Sequence, residues 1–132
     1  MPSGRFSILP RLGVVAGALL LVPAAANAQM GAKPEGKEVT VTGVVVDVSC
    51  KFGQGLTGAD HRMCAQVCAD RGIPLAILTD DGQLYIPTSA AMPGDGQNER
   101  LKEFAEQRVR ITGDVFEAAG AKMIRVKQVQ RA

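Results

Sequence analysis

Every cysteine of this chain (Cys50, Cys64, Cys68) and its only histidine (His61) fall inside a nineteen-residue window. The window lies within residues 47–74, D-V-S-C-K-F-G-Q-G-L-T-G-A-D-H-R-M-C-A-Q-V-C-A-D-R-G-I-P. Three thiols and an imidazole packed this densely leave a short list of outcomes. They hold a metal ion, they form a disulfide, or they fill a core. Each outcome requires this stretch to fold as one unit.

The local signals say how. Residues 60–71 contain neither proline nor glycine, Thr57 or Asp60 can cap the start, Gly72 stands where a C′ glycine belongs, and Pro74 forbids continuation. This predicts a helix over 60–71. On it His61, Cys64 and Cys68 occupy i, i+3 and i+7, a spread of about 60° of arc. Helical side chains lean toward the N-terminus, so His61 turns inward most easily as the cap or a first-turn residue. Upstream, residues 38–49 read as a valine- and threonine-rich strand. The alternation is expected to change phase at Gly43, so that Val44, Val46, Val48 and Cys50 share a face. Residues 51–58 read as a glycine-rich loop. A helix packed over the strand end brings Cys50 to the cysteine face.

Beyond this unit, residues 75–79 and 83–87 form a predicted hairpin around Asp80-Asp81-Gly82. Asn98 can cap a short helix that places Leu101, Phe104 and Ala105 on one face. A second hairpin runs through residues 108–115 and 123–129, turning at Ala118-Ala119-Gly120. The order is strand, inserted helix, two strands, helix, two strands. The expected fold is therefore mainly β, an OB-fold-like barrel with one helix inserted between strands 1 and 2 and a short helix between strands 3 and 4.

The N-terminal segment belongs to a different process. Arg5 and Arg11 precede an apolar run over residues 12–22, too short to span a bilayer, and Ala26-Asn27-Ala28 has the small-x-small pattern of a cleavage site. Residues 1–28 are expected to be a signal peptide, 29–37 a flexible tail and 38–132 the folded domain. No cysteine stands directly after the apolar run or at the expected cleavage site, which argues against a lipoprotein. The expected location is the periplasm or the exterior, with no membrane insertion after cleavage. Composition now matters: the formal charge of +2 comes from Arg5 and Arg11, and the remainder carries 13 basic and 13 acidic side chains. A neutral, aromatic-poor domain lacks the footprint of a nucleic-acid binder.

In an oxidising compartment three cysteines make an odd set, because one disulfide strands a thiol. A Cys3His site of Cys50, Cys64, Cys68 and His61 uses all of them. Four N/S ligands suit tetrahedral zinc, and soft thiolates also select Cu(I), to which Met63 and Met92 could add thioethers. The competing reading bridges Cys50 to Cys64 or Cys68, a short loop worth about 3 kcal/mol. The result is a disulfide-stabilised binding module that holds a peptide or small ligand around Tyr85. A bridge between Cys64 and Cys68 is disfavoured by their near-parallel Cβ vectors. For catalysis, His61 and Cys64 are close enough in sequence to pair as base and nucleophile, but no third orienting residue is evident. There is no C-x-x-C, no G-x-S-x-G, no phosphate loop and no dinucleotide fingerprint, and Asp80-Asp81 reads as a solvated turn.

The segments G-V-V-V-D-V-S-C (43–50), H-R-M-C-A-Q-V-C-A-D-R-G-I-P-L-A-I-L (61–78), D-G-Q-L-Y (81–85) and R-V-R-I-T-G-D-V (108–115) resemble a group of small exported bacterial proteins. Those proteins combine a strand ending in D-x-x-C, an H-x-x-C-A-x-x-C-A helix, a G-x-P stop and OB-like strands. The resemblance spans nearly all of residues 39–130. It implies the barrel architecture and the unity of Cys50, His61, Cys64 and Cys68 as one site, without naming a ligand. Lys51-Phe52 stands where many members carry a tyrosine after the first cysteine.

Overall fold

The computed structural model describes residues 34–132. The expected signal peptide and residues 29–33 of the expected tail lie outside the described residues. The first strand, β1 (Lys37–Asp47), is followed by two helices, α1 (Val48–Gln54) and α2 (Arg62–Asp70), the second entered through a 3-10 turn at Ala59–His61. Then come β2 (Leu75–Thr79) and β3 (Leu84–Pro87), a helix α3 (Asn98–Leu101) running into a 3-10 turn at Lys102–Phe104, and the long strands β4 (Arg108–Ala118) and β5 (Ala121–Arg131). No helix among the described residues is long and apolar enough to cross a membrane.

The protein is mainly β, and its five strands form one sheet closed into a ring in the order β1-β2-β3-β5-β4. The β3–β5 pairing is parallel and the others are antiparallel. β1 closes the ring by serving two partners. Its first part pairs with β4 (Lys37 opposite Val115 through Val44 opposite Arg108) and its end with β2 (Gly43 opposite Thr79 through Asp47 opposite Leu75). Strands of Val, Ile and Thr suit a pleated surface with one buried face. The inward side chains form the core: Val45, Ile77, Val109, Ile111, Ile124 and Val126 from the strands, and Leu101 and Phe104 from the β3–β4 connection.

At Gly43, where β1 passes between its two partners, a Cβ would lie 2.6 Å from the Leu78 carbonyl oxygen. The glycine is needed for close approach. The expected change of phase does not occur: Val41 and Val45 both pack on the core and Gly43 sits buried between them. Val46 is buried on the other side of the strand and is not part of the core cluster.

The expected helices are present with three corrections. Cys50 does not end a strand, and residues 51–58 are not all loop. β1 stops at Asp47, whose side chain accepts the Cys50 amide at 3.0 Å and so caps α1. Gly55, in the left-handed region at φ 72°, ends α1 as the Leu56 amide donates to the Cys50 carbonyl at 3.1 Å. Seven residues with a glycine among them are too few for a readable helical period. Neither Thr57 nor Asp60 caps α2, whose N-cap position is His61. Asn98 is the first residue of α3 and does not cap it. Its side chain instead donates to the carbonyls of Ala69 (2.9 Å) and Ile73 (2.8 Å) and accepts the Leu75 amide (3.1 Å).

Candidate metal centre

α2 carries two of the thiols, and its position is set along its whole length. Its buried residues are small, Ala65 and Ala69, which lets the backbone approach its neighbours closely. Its C-terminal end is a Schellman motif: Ile73 N–H donates to the Cys68 carbonyl and Gly72 N–H to the Ala69 carbonyl, both at 3.0 Å, with Gly72 at φ 89°. Asn98 ties that end to the start of β2. On its outer side Arg62 Nη2 donates to the Glu103 carbonyl (2.8 Å), Gln66 Nε2 to the Lys102 carbonyl (3.1 Å), and Lys102 Nζ pairs with Asp70 (2.7 Å). The β3–β4 connection thus clamps α2 against the ring.

The N-terminal end is held by one carboxylate. Glu106 Oε1 lies 3.0 Å from His61 Nδ1, while Glu106 Oε2 accepts from Gly58 N–H (2.8 Å) and Thr57 Oγ1 (3.1 Å). Glu106 itself is in the left-handed region at φ 58°. Its backbone is fixed on β1: Glu106 N–H donates to the Val45 carbonyl (2.7 Å), and Val45 N–H to the Gln107 carbonyl (3.1 Å). A carboxylate only accepts, so the proton sits on Nδ1 and Nε2 is the nitrogen left with a free lone pair. Nε2 is buried and has no hydrogen-bond partner.

The donor atoms fall into two groups that share Cys50. The sulfurs of Cys50, Cys64 and Cys68 lie within 4.8 Å of one another, and so do ligand atoms of Asp47, Cys50 and His61. Cys50, Cys64, Cys68 and His61 are therefore close enough to hold a metal ion. A tetrahedral ion with bonds of about 2.3 Å sets its sulfurs about 3.8 Å apart, within reach of small side-chain shifts. No disulfide is formed, and all three thiols are free. Cys50 is buried, Cys68 half-buried and Cys64 exposed. A shallow cleft of about 340 Å³ opens over Leu56, Thr57, Asp60, His61 and Cys64. A larger one, about 370 Å³, lies at the C-terminal end of α2 and is lined by none of the thiols. Met63 and Met92 are 77% and 96% exposed and stand outside the buried donor set.

Asp47 governs the electrostatics. Burial first, and then the Asp47 carboxylate, push the Cys50 thiol up from its ordinary range. For Cys68 the neighbouring Asp47 carboxylate leads and burial follows, and together they push it up to about 12. With no cation at the site the Cys50 and Cys68 thiols therefore stay protonated near neutral pH. Placing a cation there reverses the balance.

Two members of this site were not identified from the sequence as functional. Asp47 was visible only as the acidic residue of D-x-x-C, where capping and ligation look alike. Glu106 carries no sequence signal, because it reaches His61 from 45 residues away. Comparison with protein-family models, with curated proteins and with solved structures finds no match for this chain.

Proposed function

We propose that this protein binds a thiophilic transition-metal ion, zinc or copper, through Cys50, Cys64, Cys68 and His61. The convergence of the three free sulfurs beside a buried imidazole nitrogen supports this reading most directly. Thiolate and imidazole donors suit zinc, and a thiolate-rich set also suits Cu(I). The strand order, with its parallel β3–β5 pair and a helix between β3 and β4, supports placing the scaffold among OB-like barrels. The N-terminal pattern and the resemblance to small exported bacterial proteins support a periplasmic or secreted location.

The role is binding, as a structural site, a sensor or a carrier, and not catalysis. Glu106 and His61 do resemble the orienting pair behind a cysteine nucleophile. Such a nucleophile needs an accessible, acidified thiol. Cys50, the thiol that clusters with His61, is buried, and its surroundings push it the other way.

The deciding experiment is metal content and intact mass after anaerobic purification. A bound ion and a fully reduced mass are expected. A chain without metal and lighter by two hydrogens overturns the proposal. That result would favour the disulfide-stabilised binding module instead, although Tyr85, its proposed contact residue, packs partly against the core.

A further inference from the structure

Two buried atoms beside Cys50 have no partner. Asp47 is fully buried; its Oδ1 takes the Cys50 amide, and its Oδ2 is bonded to nothing. His61 is 7% exposed, and its Nε2 is equally unpartnered. Both are lone-pair donors. Apart from the Cys50 amide on Oδ1, the hydrogen-bearing group that shares this cluster is the Cys50 thiol, a weak donor. Two buried, unpartnered acceptor atoms in one cluster call for a bound ion or water to satisfy them.

A single ion does not use all of these donors. Cys50, Cys64 and Cys68 with Asp47 and His61 make five, whereas a tetrahedral zinc takes four. The donors also divide geometrically into two triads with Cys50 as their common corner. We propose that the site holds two divalent ions of the zinc type, bridged by the Cys50 thiolate. The outer ion takes Cys64 and Cys68 and the inner one takes Asp47 and His61. This rests on the metal-binding reading above and extends it to a second position and a further ligand, Asp47.

Charge supports the count. Three thiolates and one carboxylate carry four negative charges, and one divalent ion leaves half of them uncompensated in a largely buried pocket. Two divalent ions balance these four and leave only the buried Glu106 carboxylate behind His61. The inner triad of oxygen, nitrogen and sulfur suits a borderline ion such as zinc better than Cu(I), which prefers sulfur alone. Each ion keeps one position open to solvent or an incoming ligand. For the outer ion that opening lies on the side of the exposed Cys64. Glu106 is a positioning residue here: it orients His61 and touches neither ion.

The test is zinc titration of the reduced protein, read by native mass spectrometry. Two zinc ions per chain are expected for the wild type. One is expected for Asp47→Asn, which keeps the Oδ1 acceptor for the Cys50 amide, and one for His61→Ala. In those two variants cobalt(II) should retain the charge-transfer absorption of its thiolate ligands. One zinc ion at saturation in the wild type overturns the two-ion proposal, whatever the variants do, and leaves the metal-binding reading standing. No zinc and no copper at all withdraws both.

Discussion

Glu106 Oε1 stands 3.0 Å from His61 Nδ1, with both side chains buried, and this contact decides which nitrogen of the only histidine is free. It joins the N-cap of α2 to a residue whose backbone is bonded to β1. Glu106→Gln keeps one oxygen and puts an NH2 in place of the other. An N–H donor then faces either His61 or the Thr57–Gly58 pair, and the three-way clamp on the ring is broken. Zinc affinity is expected to fall roughly 10–100-fold, the usual effect of losing such a supporting carboxylate. Competition with a chromophoric chelator measures it, and an unchanged affinity would show that His61 is not a ligand.

The pH dependence has opposite signs in the two forms. Without metal, the folded-state pKa values of Cys50 and Cys68 are raised above those of the unfolded chain. The folded form therefore holds these protons more tightly. Its stability is complete below the ordinary thiol range and falls as pH rises toward about 12, the Cys68 value. Urea unfolding of the metal-free protein at neutral and alkaline pH should show this loss. With metal, the thiolates must be deprotonated, so binding releases protons and affinity rises with pH. Calorimetry in buffers of different ionisation enthalpy should detect that release.

Asn98→Ala removes three hydrogen bonds at the junction of α2 and β2 and leaves the Leu75 amide without its acceptor. A cost of about 1–3 kcal/mol is expected, the range for an unsatisfied, partly buried polar group. Denaturant unfolding gives that figure. Because Cys68 lies one residue before Ala69, whose carbonyl Asn98 holds, metal affinity should drop as well.

Gly43→Ala drives a methyl into the Leu78 carbonyl, where the Cβ position is only 2.6 Å away. The neighbour is backbone and gives little. A loss of about 1–3 kcal/mol is expected from thermal or chemical unfolding, as for other overpacked sites. Metal stoichiometry should stay unchanged, since no donor touches this point.

The architecture was legible because its signals are local. Alternating valine and threonine, an Asp-Gly turn and a Gly-x-Pro stop each act over a few residues, and the order of elements follows from them. Residues 75–79 and the burial of Leu101, Phe104 and Ala105 were readable in this way. The closeness of Cys50, His61, Cys64 and Cys68 was readable because they are rare and crowded. The phase at Gly43 was misjudged because burial there comes from two directions: the core takes Val45, and Val46 is buried outside that cluster. α1 escaped notice because its stability rests on one cap and one left-handed glycine rather than on a repeating pattern. Glu106 was invisible for a different reason. Its role exists only once β1 and the β3–β4 connection are side by side.

That last contact also sets an order of events in time. A chain made from its N-terminus exposes all three thiols and the imidazole before Glu106 exists. Until residue 106 arrives and docks on β1, His61 can turn either nitrogen outward, and an early ion meets only loose sulfur ligands. The mature arrangement waits for the second half of the polypeptide. On the metal-binding reading proposed above, an ion would therefore meet its full donor set only in the finished protein and not in a nascent segment.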